Sequence, residues 1–209
     1  MQLAGIKKKL GDFSLCVDRL EISKPGIYGL TGPNGSGKST LAKIITGLLA
    51  PDCGTVDTKG LSALDITYLG RKPYMMDDTV YNNLVYPLEL RNIKPDPQTI
   101  KEFLGKMKLT HLIKQNAKSL SGGEQQKLAF LRAIIFKPKF VIADEAMAAM
   151  DMDSLELFEN TVLEEQKKEK SIWIIISHQM PSVNRLCEYI YSMSNGRLQP
   201  LKCGHKIKE

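Results

Sequence analysis

The sequence has 209 residues, which is enough for one α/β unit with an inserted lobe but not for two domains of ordinary size. Hydrophobic residues make up 43% and charged residues 25%, and no apolar run approaches the roughly 20 residues that span a bilayer, so we expect a globular protein that stays in the cytoplasm. The formal net charge of +6 is concentrated in lysine clusters at the two chain ends without interleaved aromatic residues, so we expect no nucleic-acid partner.

The basic clusters and the cysteines carry no further functional signal. The clusters are Lys7-Lys8-Lys9 and the trio Lys202, Lys206 and Lys208. The four cysteines are Cys16, Cys53, Cys187 and Cys203. Because these cysteines lack the paired spacing of metal ligands, we expect reduced thiols and no zinc site.

Strand patterns dominate the sequence before residue 70. Two strands are predicted between Gln2 and Ile22, and in the second Phe13, Leu15 and Val17 alternate with polar residues, which places Phe13 with the core. Further short strands are predicted at 26–30, 54–57 and 66–69.

The segment from residue 32 to residue 40 has the spacing of a phosphate-binding P-loop. Its members are Gly32, Pro33, Asn34, Gly35, Ser36, Gly37, Lys38, Ser39 and Thr40. An apolar strand precedes the loop, and helical spacing of apolar residues follows it until Pro51, so a helix N-terminus points at the bound anion. In such a loop, glycines turn backbone N–H groups towards phosphate, the lysine reaches the terminal phosphates and the serine ligates magnesium.

A stretch of helical character separates these strands from the second half of the chain. Between Arg71 and about Lys118 helices are predicted to open at Thr79 and at Pro95-Asp96-Pro97, and no strand is predicted. We therefore interpret 71–118 as a helical insertion into an α/β core that comprises 1–70 and 119–209.

The second half alternates strands with helices. A glycine-rich helix start at Ser121-Gly122-Gly123 offers a second place for an anion or is mere helix capping, and spacing alone leaves both open. The remaining predictions are strands at 140–143, 172–176 and 189–193, a capping box at Asp153 to Glu156, a short helix near 183–187 and a turn at Asn195-Gly196. Alternating strands and helices predict a parallel sheet around the P-loop.

The order of four motifs resembles one family over essentially the whole chain. These motifs are the loop GPNGSGKST, the run LSGGEQQ, the strand end FVIADE and the pair Ser177-His178. On them the sequence resembles the ATP-binding subunits of ABC transporters. The resemblance implies a single domain over 1–209, in which a P-loop NTPase core with a parallel sheet carries an antiparallel β subdomain and the helical insertion.

The resemblance also implies roles for individual residues. Lys38 would bind the β- and γ-phosphates of ATP, while Ser39 and, through water, Asp144 would hold Mg²⁺. Glu145 would be the general base, and His178 would contact the γ-phosphate. The residues that would face the nucleotide from a second subunit, in a head-to-tail dimer, are Ser121, Gly122, Gly123 and Asp151.

Three positions depart from the family pattern. Leu10 stands where an aromatic residue usually stacks on adenine, Arg71 replaces the usual glutamine after the strand 66–69, and Ala146 replaces a proline after the base. Because a guanidinium has only donors, Arg71 cannot ligate a metal, and we expect it to turn to solvent rather than to approach a phosphate.

The resemblance implies an ATPase that drives a separate membrane permease. We expect an importer subunit that forms a homodimer, lies on the inner face of the cell membrane and works with permease chains and an extracytoplasmic binding protein. The permease groove would include Tyr74, Met75, Met76, Tyr81 and Tyr86, although these side chains are equally suited to the core of the insertion. Two alternatives stay open, a weakly hydrolysing regulatory subunit and an ABC-type ATPase unconnected with transport.

Overall fold

The computed structural model describes residues 1–148 and 150–201, and within them the chain forms nine β-strands and six α-helices. The strands are β1 (Gln2–Leu10), β2 (Phe13–Glu21), β3 (Gly26–Thr31), β4 (Cys53–Asp57), β5 (Ile66–Leu69), β6 (Phe140–Asp144), β7 (Ile172–Ile176), β8 (Tyr189–Ser194) and β9 (Arg197–Leu201). The helices are α1 (Lys38–Ile45), α2 (Val80–Glu89), α3 (Pro97–Lys106), α4 (Gly122–Ile134), α5 (Met152–Glu169) and α6 (Met180–Leu186). Lys202, Lys206, Lys208 and Cys203 lie outside the described residues.

All nine strands belong to one mixed sheet with the order β4-β1-β2-β9-β8-β3-β7-β6-β5. The run from β8 to β5 is parallel, whereas β1 pairs antiparallel with β2 and β4, and β8 with β9. The predicted turn closes the β8–β9 hairpin, with positive φ angles of 47° at Asn195 and 73° at Gly196. The predicted α/β class, a parallel core with an antiparallel β subdomain, is confirmed.

The central strands are buried on both faces, which explains their continuous apolar sequence. Alternate residues of β6 and β7 enter two different hydrophobic clusters. Val141, Ala143, Trp173 and Ile175 pack with the helical side that contains α4, and Phe140, Ile142, Ile174 and Ile176 pack with α1 and the antiparallel strands. The parallel strands therefore form a middle layer, and their carboxyl ends share the edge where ligands bind in α/β proteins.

Two capped helices make up most of the stretch from residue 71 to residue 118, in which the structure contains no strand. Thr79 Oγ1 accepts a hydrogen bond from Asn82 N at the start of α2, and Asp96 Oδ2 accepts one from Thr99 N at the start of α3. Both helices pack into the cluster that also contains α4. The predicted helical character is confirmed, and the division into core and insertion stays a prediction.

Two helix starts differ from the predictions. The predicted capping box at Asp153 is wrong, because Asp151 is the cap of α5 and its Oδ1 accepts from Ser154 N at 2.7 Å. Helix α6 begins at Met180, three residues before the predicted start, and has a proline in its first turn. Proline is tolerated there because N–H groups in the first turn of a helix form no intrahelical hydrogen bond. Among the described residues, no helix is both long and apolar enough to span a membrane.

Candidate functional site

The loop from residue 32 to residue 37 connects β3 to α1 and depends on glycine. At Gly32, with φ of 136°, a Cβ atom would lie 2.0 Å from the carbonyl oxygen of Met193. At Gly37, with φ of 104°, it would lie 2.7 Å from the ring of Phe13. Neither contact is possible, so any other residue would displace the loop that presents its N–H groups to a phosphate.

Lys38 is the first residue of α1 and is buried. Its Nζ donates to the carbonyl oxygens of Gly32 at 2.8 Å and Pro33 at 2.9 Å. Burial lowers the pKa of Lys38, and the nearby charges of Glu145 and Asp144 partly oppose that shift. The ammonium group is thus held in the loop by neutral acceptors, which a phosphate oxygen can replace at a gain in Coulomb energy.

Ser36 carries a polar group in the loop that the described residues leave unpaired. Its hydroxyl is buried and has no hydrogen-bond partner. A buried, unpaired hydroxyl costs stability, and unpaired polar groups in native structures are typical of functional sites. The loop therefore fits an anion that brings its own acceptors.

A pocket of about 370 Å³ opens above the loop. Its walls are formed by Leu10, Phe13, Glu145, the loop residues Asn34, Gly35 and Gly37, and the first turn of α1 from Lys38 to Thr40. Leu10 is 44% exposed, as a contact for a nucleobase needs to be. The interpretation of Phe13 as a core residue is only partly right, because its ring is half-buried and covers Gly37 at the pocket wall.

Asp144 ends β6 and is only 4% exposed. Its Oδ2 accepts a hydrogen bond from the hydroxyl of Tyr68, at 2.7 Å. Burial and this bond raise the pKa of Tyr68, so the phenol remains a donor at neutral pH. Sequence reasoning missed Tyr68, since only the pairing of β5 with β6 brings it near residue 144.

Glu145 follows Asp144 in a left-handed backbone conformation, with φ of 51°, which is uncommon outside glycine and occurs at functional sites. Its Oε1 lies 2.7 Å from Nε2 of His178, and its Oε2 lies 3.5 Å from Nη1 of Arg71. The expectation that Arg71 turns to solvent holds for most of the side chain, which is 70% exposed, but its guanidinium contacts the predicted base.

The second glycine motif lies at the start of α4. Ser121 forms a capping box: its hydroxyl donates to Glu124 Oε2 at 2.7 Å and accepts from Glu124 N at 3.4 Å. A Cβ atom at Gly122 or Gly123 would meet nothing within 4 Å. Neither these residues nor Asp151 line the pocket above the P-loop. The fold of the chain by itself therefore does not require glycine at 122 and 123.

The oxygen donors near the loop fit a magnesium ion that is shared with phosphate. Ser39 lines the pocket, and the Asp144 carboxylate lies near enough to the neighbouring Lys38 to act on its charge. In the described part of the chain no group of three or more His, Cys, Asp and Glu residues could hold a metal ion. Mg²⁺ at nucleotide sites takes one or two protein ligands and completes its shell with phosphate and water, so two donors suffice.

A separate groove of about 410 Å³ lies between β5, α2 and α4. Three of the predicted partner-binding residues line it, namely Tyr74, Met76 and Tyr86. Tyr81 is exposed but does not line the groove, and Met75 is a core residue, which is the alternative that the sequence left open for it.

Two guanidinium groups enter this groove. Arg91 stacks 3.5 Å above the ring of Phe136 and donates to the carbonyl oxygens of Leu64 and Pro87. Arg132 donates to Asn83 Oδ1 and to the carbonyl oxygen of Tyr74. No carboxylate forms an ion pair with either arginine within residues 1–148 and 150–201. The groove is thus apolar and cationic.

Comparison with known proteins gives concordant matches. A profile of the ABC transporter family matches residues 17–148. The tungstate uptake system ATP-binding protein of Peptoclostridium acidaminophilum is 33% identical over 94% of this chain and 95% of its own length. A probable iron export ATP-binding protein of Escherichia coli (strain K12) is 34% identical over 74% of this chain and 73% of its own. A solved structure described as a nucleotide-free ATP-binding cassette from an ABC transporter superposes with a TM-score of 0.79 at 26% identity, covering 98% of this chain and 91% of that one.

Proposed function

This chain belongs to the ATP-binding subunits of ABC transporters, and from that premise we propose that it is the ATP-hydrolysing motor of an importer, in which two copies close on ATP. The observation that carries the proposal is that Lys38, Ser39 and Glu145 line one pocket. A phosphate ligand, a metal ligand and a proton acceptor there are the parts that phosphoryl transfer to water requires.

We assign a separate role in ATP hydrolysis to each group of residues in and beside the pocket. The loop from Gly32 to Thr40 binds the phosphates, and Lys38 exchanges its two carbonyl partners for phosphate oxygens. Ser39 and, through water, Asp144 would hold Mg²⁺, which would supply positive charge beside the phosphate oxygens. Glu145 orients the attacking water and accepts its proton, after His178 turns from the carboxylate towards the γ-phosphate.

The free space over two glycines of α4 supports a nucleotide site that is shared between two chains. A helix N-terminus with free space over Gly122 and Gly123 can approach a phosphate supplied by another chain. A glycine in a helix costs about 1 kcal/mol relative to alanine, and here no packing within the chain recovers that cost. A second copy of this chain, placed head to tail, would account for both glycines and would bring Ser121 and Asp151 to the interface.

The apolar groove supports a permease partner. It exposes aromatic and methionine side chains next to two arginines whose bonding partners are neutral, and an intracellular segment of a permease with apolar and acidic residues would suit it. Such a contact would put the chain on the inner face of the membrane.

Import is the direction that the relatives favour. The uptake relative matches 94% of this chain, whereas the export relative matches 74% at nearly the same identity. An importer of this class would receive its solute from an extracytoplasmic binding protein, so that protein belongs to the proposed assembly.

The test of the motor is the variant Glu145→Gln. It removes the proton acceptor but leaves the phosphate site, so ATP hydrolysis should fall by about 100-fold or more while ATP-dependent dimers accumulate. Size-exclusion chromatography with light scattering and a phosphate-release assay give both readouts. The control Lys38→Ala should neither bind ATP nor dimerise. Glu145→Gln that stays monomeric with ATP and magnesium at all protein concentrations would contradict the closing dimer.

One observation favours the alternative of a weakly hydrolysing regulatory subunit. His178 and Arg71 contact both oxygens of Glu145, and a contact must break before that oxygen can meet a water molecule. Turnover by the purified wild-type protein decides between the two functions. A rate no higher than that of Glu145→Gln would favour regulation, and a rate at least 100-fold higher would favour the motor.

A further inference from the structure

The only side-chain hydrogen bond that the described residues provide to Asp144 comes from Tyr68. In the parallel pairing of β5 and β6, Tyr68 lies beside Ile142, two residues before Asp144. Residues two apart on a strand share a face, so the phenol ring extends along that face and its hydroxyl reaches the carboxylate. The contact therefore follows from strand register and from the length of the tyrosine side chain.

A buried carboxylate needs such a partner. Asp144 is 4% exposed, and an ionised group with unpaired oxygens costs several kcal/mol in such a place. The bond of 2.7 Å is short, as is typical for a hydroxyl that donates to a charged acceptor. It occupies Oδ2 and restrains the carboxylate, and no side chain of the described residues donates to Oδ1.

The surroundings fix the ring as well as the hydroxyl. Tyr68 packs against the cluster that contains Ile142 and Ile176. At Gly70 a Cβ atom would lie 3.3 Å from the Tyr68 ring, so a side chain at residue 70 would press on the ring. Because glycine has no side chain, residue 70 leaves room for the Tyr68 ring. The packed ring in turn holds the Tyr68 hydroxyl next to Asp144.

We propose that Tyr68 is a positioning residue, which holds the Asp144 carboxylate in the orientation that binds the magnesium of the nucleotide. This inference rests on the proposed function, since it needs Asp144 to act on the metal. Groups that orient metal ligands by hydrogen bonds typically change metal affinity 10- to 100-fold when they are removed. Because Tyr68→Phe deletes only the hydroxyl, it should weaken metal binding by about tenfold and leave the phosphate site intact.

The test measures metal binding directly, with Mn²⁺ as the probe. Free Mn²⁺ is followed by electron paramagnetic resonance in the presence of a non-hydrolysable ATP analogue, for wild type, Tyr68→Phe and Asp144→Asn. A matched control is Tyr28→Phe, which removes a buried tyrosine hydroxyl that donates to the Lys24 carbonyl oxygen in the same cluster. Affinity for the analogue without metal, in EDTA, should be equal in all four proteins and confirms that the variants fold.

The outcomes separate this inference from the proposed function. Weaker Mn²⁺ binding in Tyr68→Phe and Asp144→Asn, with Tyr28→Phe like wild type, supports the positioning role. If Asp144→Asn loses Mn²⁺ but Tyr68→Phe binds it like wild type, Tyr68 is structural and the metal site stands. If Asp144→Asn itself binds Mn²⁺ like wild type, Asp144 is no metal ligand, and the inference is overturned together with that part of the proposed function.

Discussion

Arg71 shows how one departure from a family pattern alters the contacts of Glu145, the proposed general base. The glutamine usual at this position can offer an oxygen to a metal or to water, whereas a guanidinium can only donate. In this chain its Nη1 lies 3.5 Å from Glu145 Oε2. Because Arg71 is largely exposed, water and salt screen this ion pair, and such pairs contribute at most about 1 kcal/mol. Arg71 therefore biases Glu145 weakly towards a resting orientation.

Replacement of Arg71 by glutamine should remove the ion pair with Glu145. We expect Arg71→Gln to raise the maximal ATPase rate by about two- to fivefold, in line with an exposed ion pair. It should also lower the magnesium concentration for half-maximal activity, since an amide oxygen is restored. The measurement is a magnesium titration of ATPase activity. The control is Lys72→Gln, which removes a positive charge from the exposed neighbouring residue. A clear fall in the saturated rate of Arg71→Gln would instead indicate that the guanidinium stabilises the transition state.

At the scale of elements, the starts of α4 and α5 serve the fold, and they are also the surfaces proposed to meet a second subunit. Asp151 caps α5 through Ser154 N, and the Ser154 side chain together with this backbone bond lowers the pKa of the Asp151 carboxyl. Ser121 caps α4 in a reciprocal pair with Glu124. A capping role and an interface role are compatible, because a cap uses one face of a side chain and a partner can approach the other.

Two substitutions at Asp151 separate its roles. Asp151→Ser keeps a good N-cap and removes the charge, whereas Asp151→Ala removes both. Loss of a cap costs about 1 kcal/mol, so Asp151→Ala should unfold about 2–4 °C below wild type and Asp151→Ser close to it. If Asp151 also lies at the dimer interface, both variants should weaken ATP-dependent dimerisation in a Glu145→Gln background. Normal dimerisation by Asp151→Ser would restrict Asp151 to the cap.

For the whole molecule, strand β5 connects the groove with the proposed nucleotide site. Residues of β5 form a wall of the groove, and Tyr68 of β5 also bonds to Asp144. Strand β5 pairs with β6, whose last residue is Asp144. The surface proposed for the permease therefore adjoins the strand that carries one of the proposed site carboxylates.

Helix α2 offers a matched pair of tyrosines to test the groove. Tyr86 is 42% exposed and lines the groove, and Tyr81 is 38% exposed on the same helix but does not line it. Tyr86→Ala should weaken binding to the detergent-solubilised permease by about tenfold, as loss of an aromatic anchor does, and Tyr81→Ala should have little effect. Both variants should bind ATP like wild type. Equal effects on permease binding would show that the contact is not centred on the groove.

The sequence by itself determined the chemistry of this protein. The glycine and lysine spacing of 32–40, the apolar strands and the carboxylates after residue 143 are local patterns, and local patterns fix backbone geometry and the position of a group at a strand end. They predicted the α/β sheet, the P-loop and the starts of α2 and α3, whereas the antiparallel part of the sheet was implied by the family resemblance. They failed at α5, where three acidic or hydroxyl residues within four positions could each have supplied the cap.

Only the tertiary structure decided which side chains meet. Tyr68 and Asp144 are 76 residues apart in sequence, and their bond depends on the pairing and register of β5 and β6. The contact of Arg71 with Glu145, the Phe13 ring over Gly37 and the burial of Met75 likewise join distant segments. Periodicity tells which face of an element is apolar, but not which element covers that face, because the second fact is set by the packing of the whole chain.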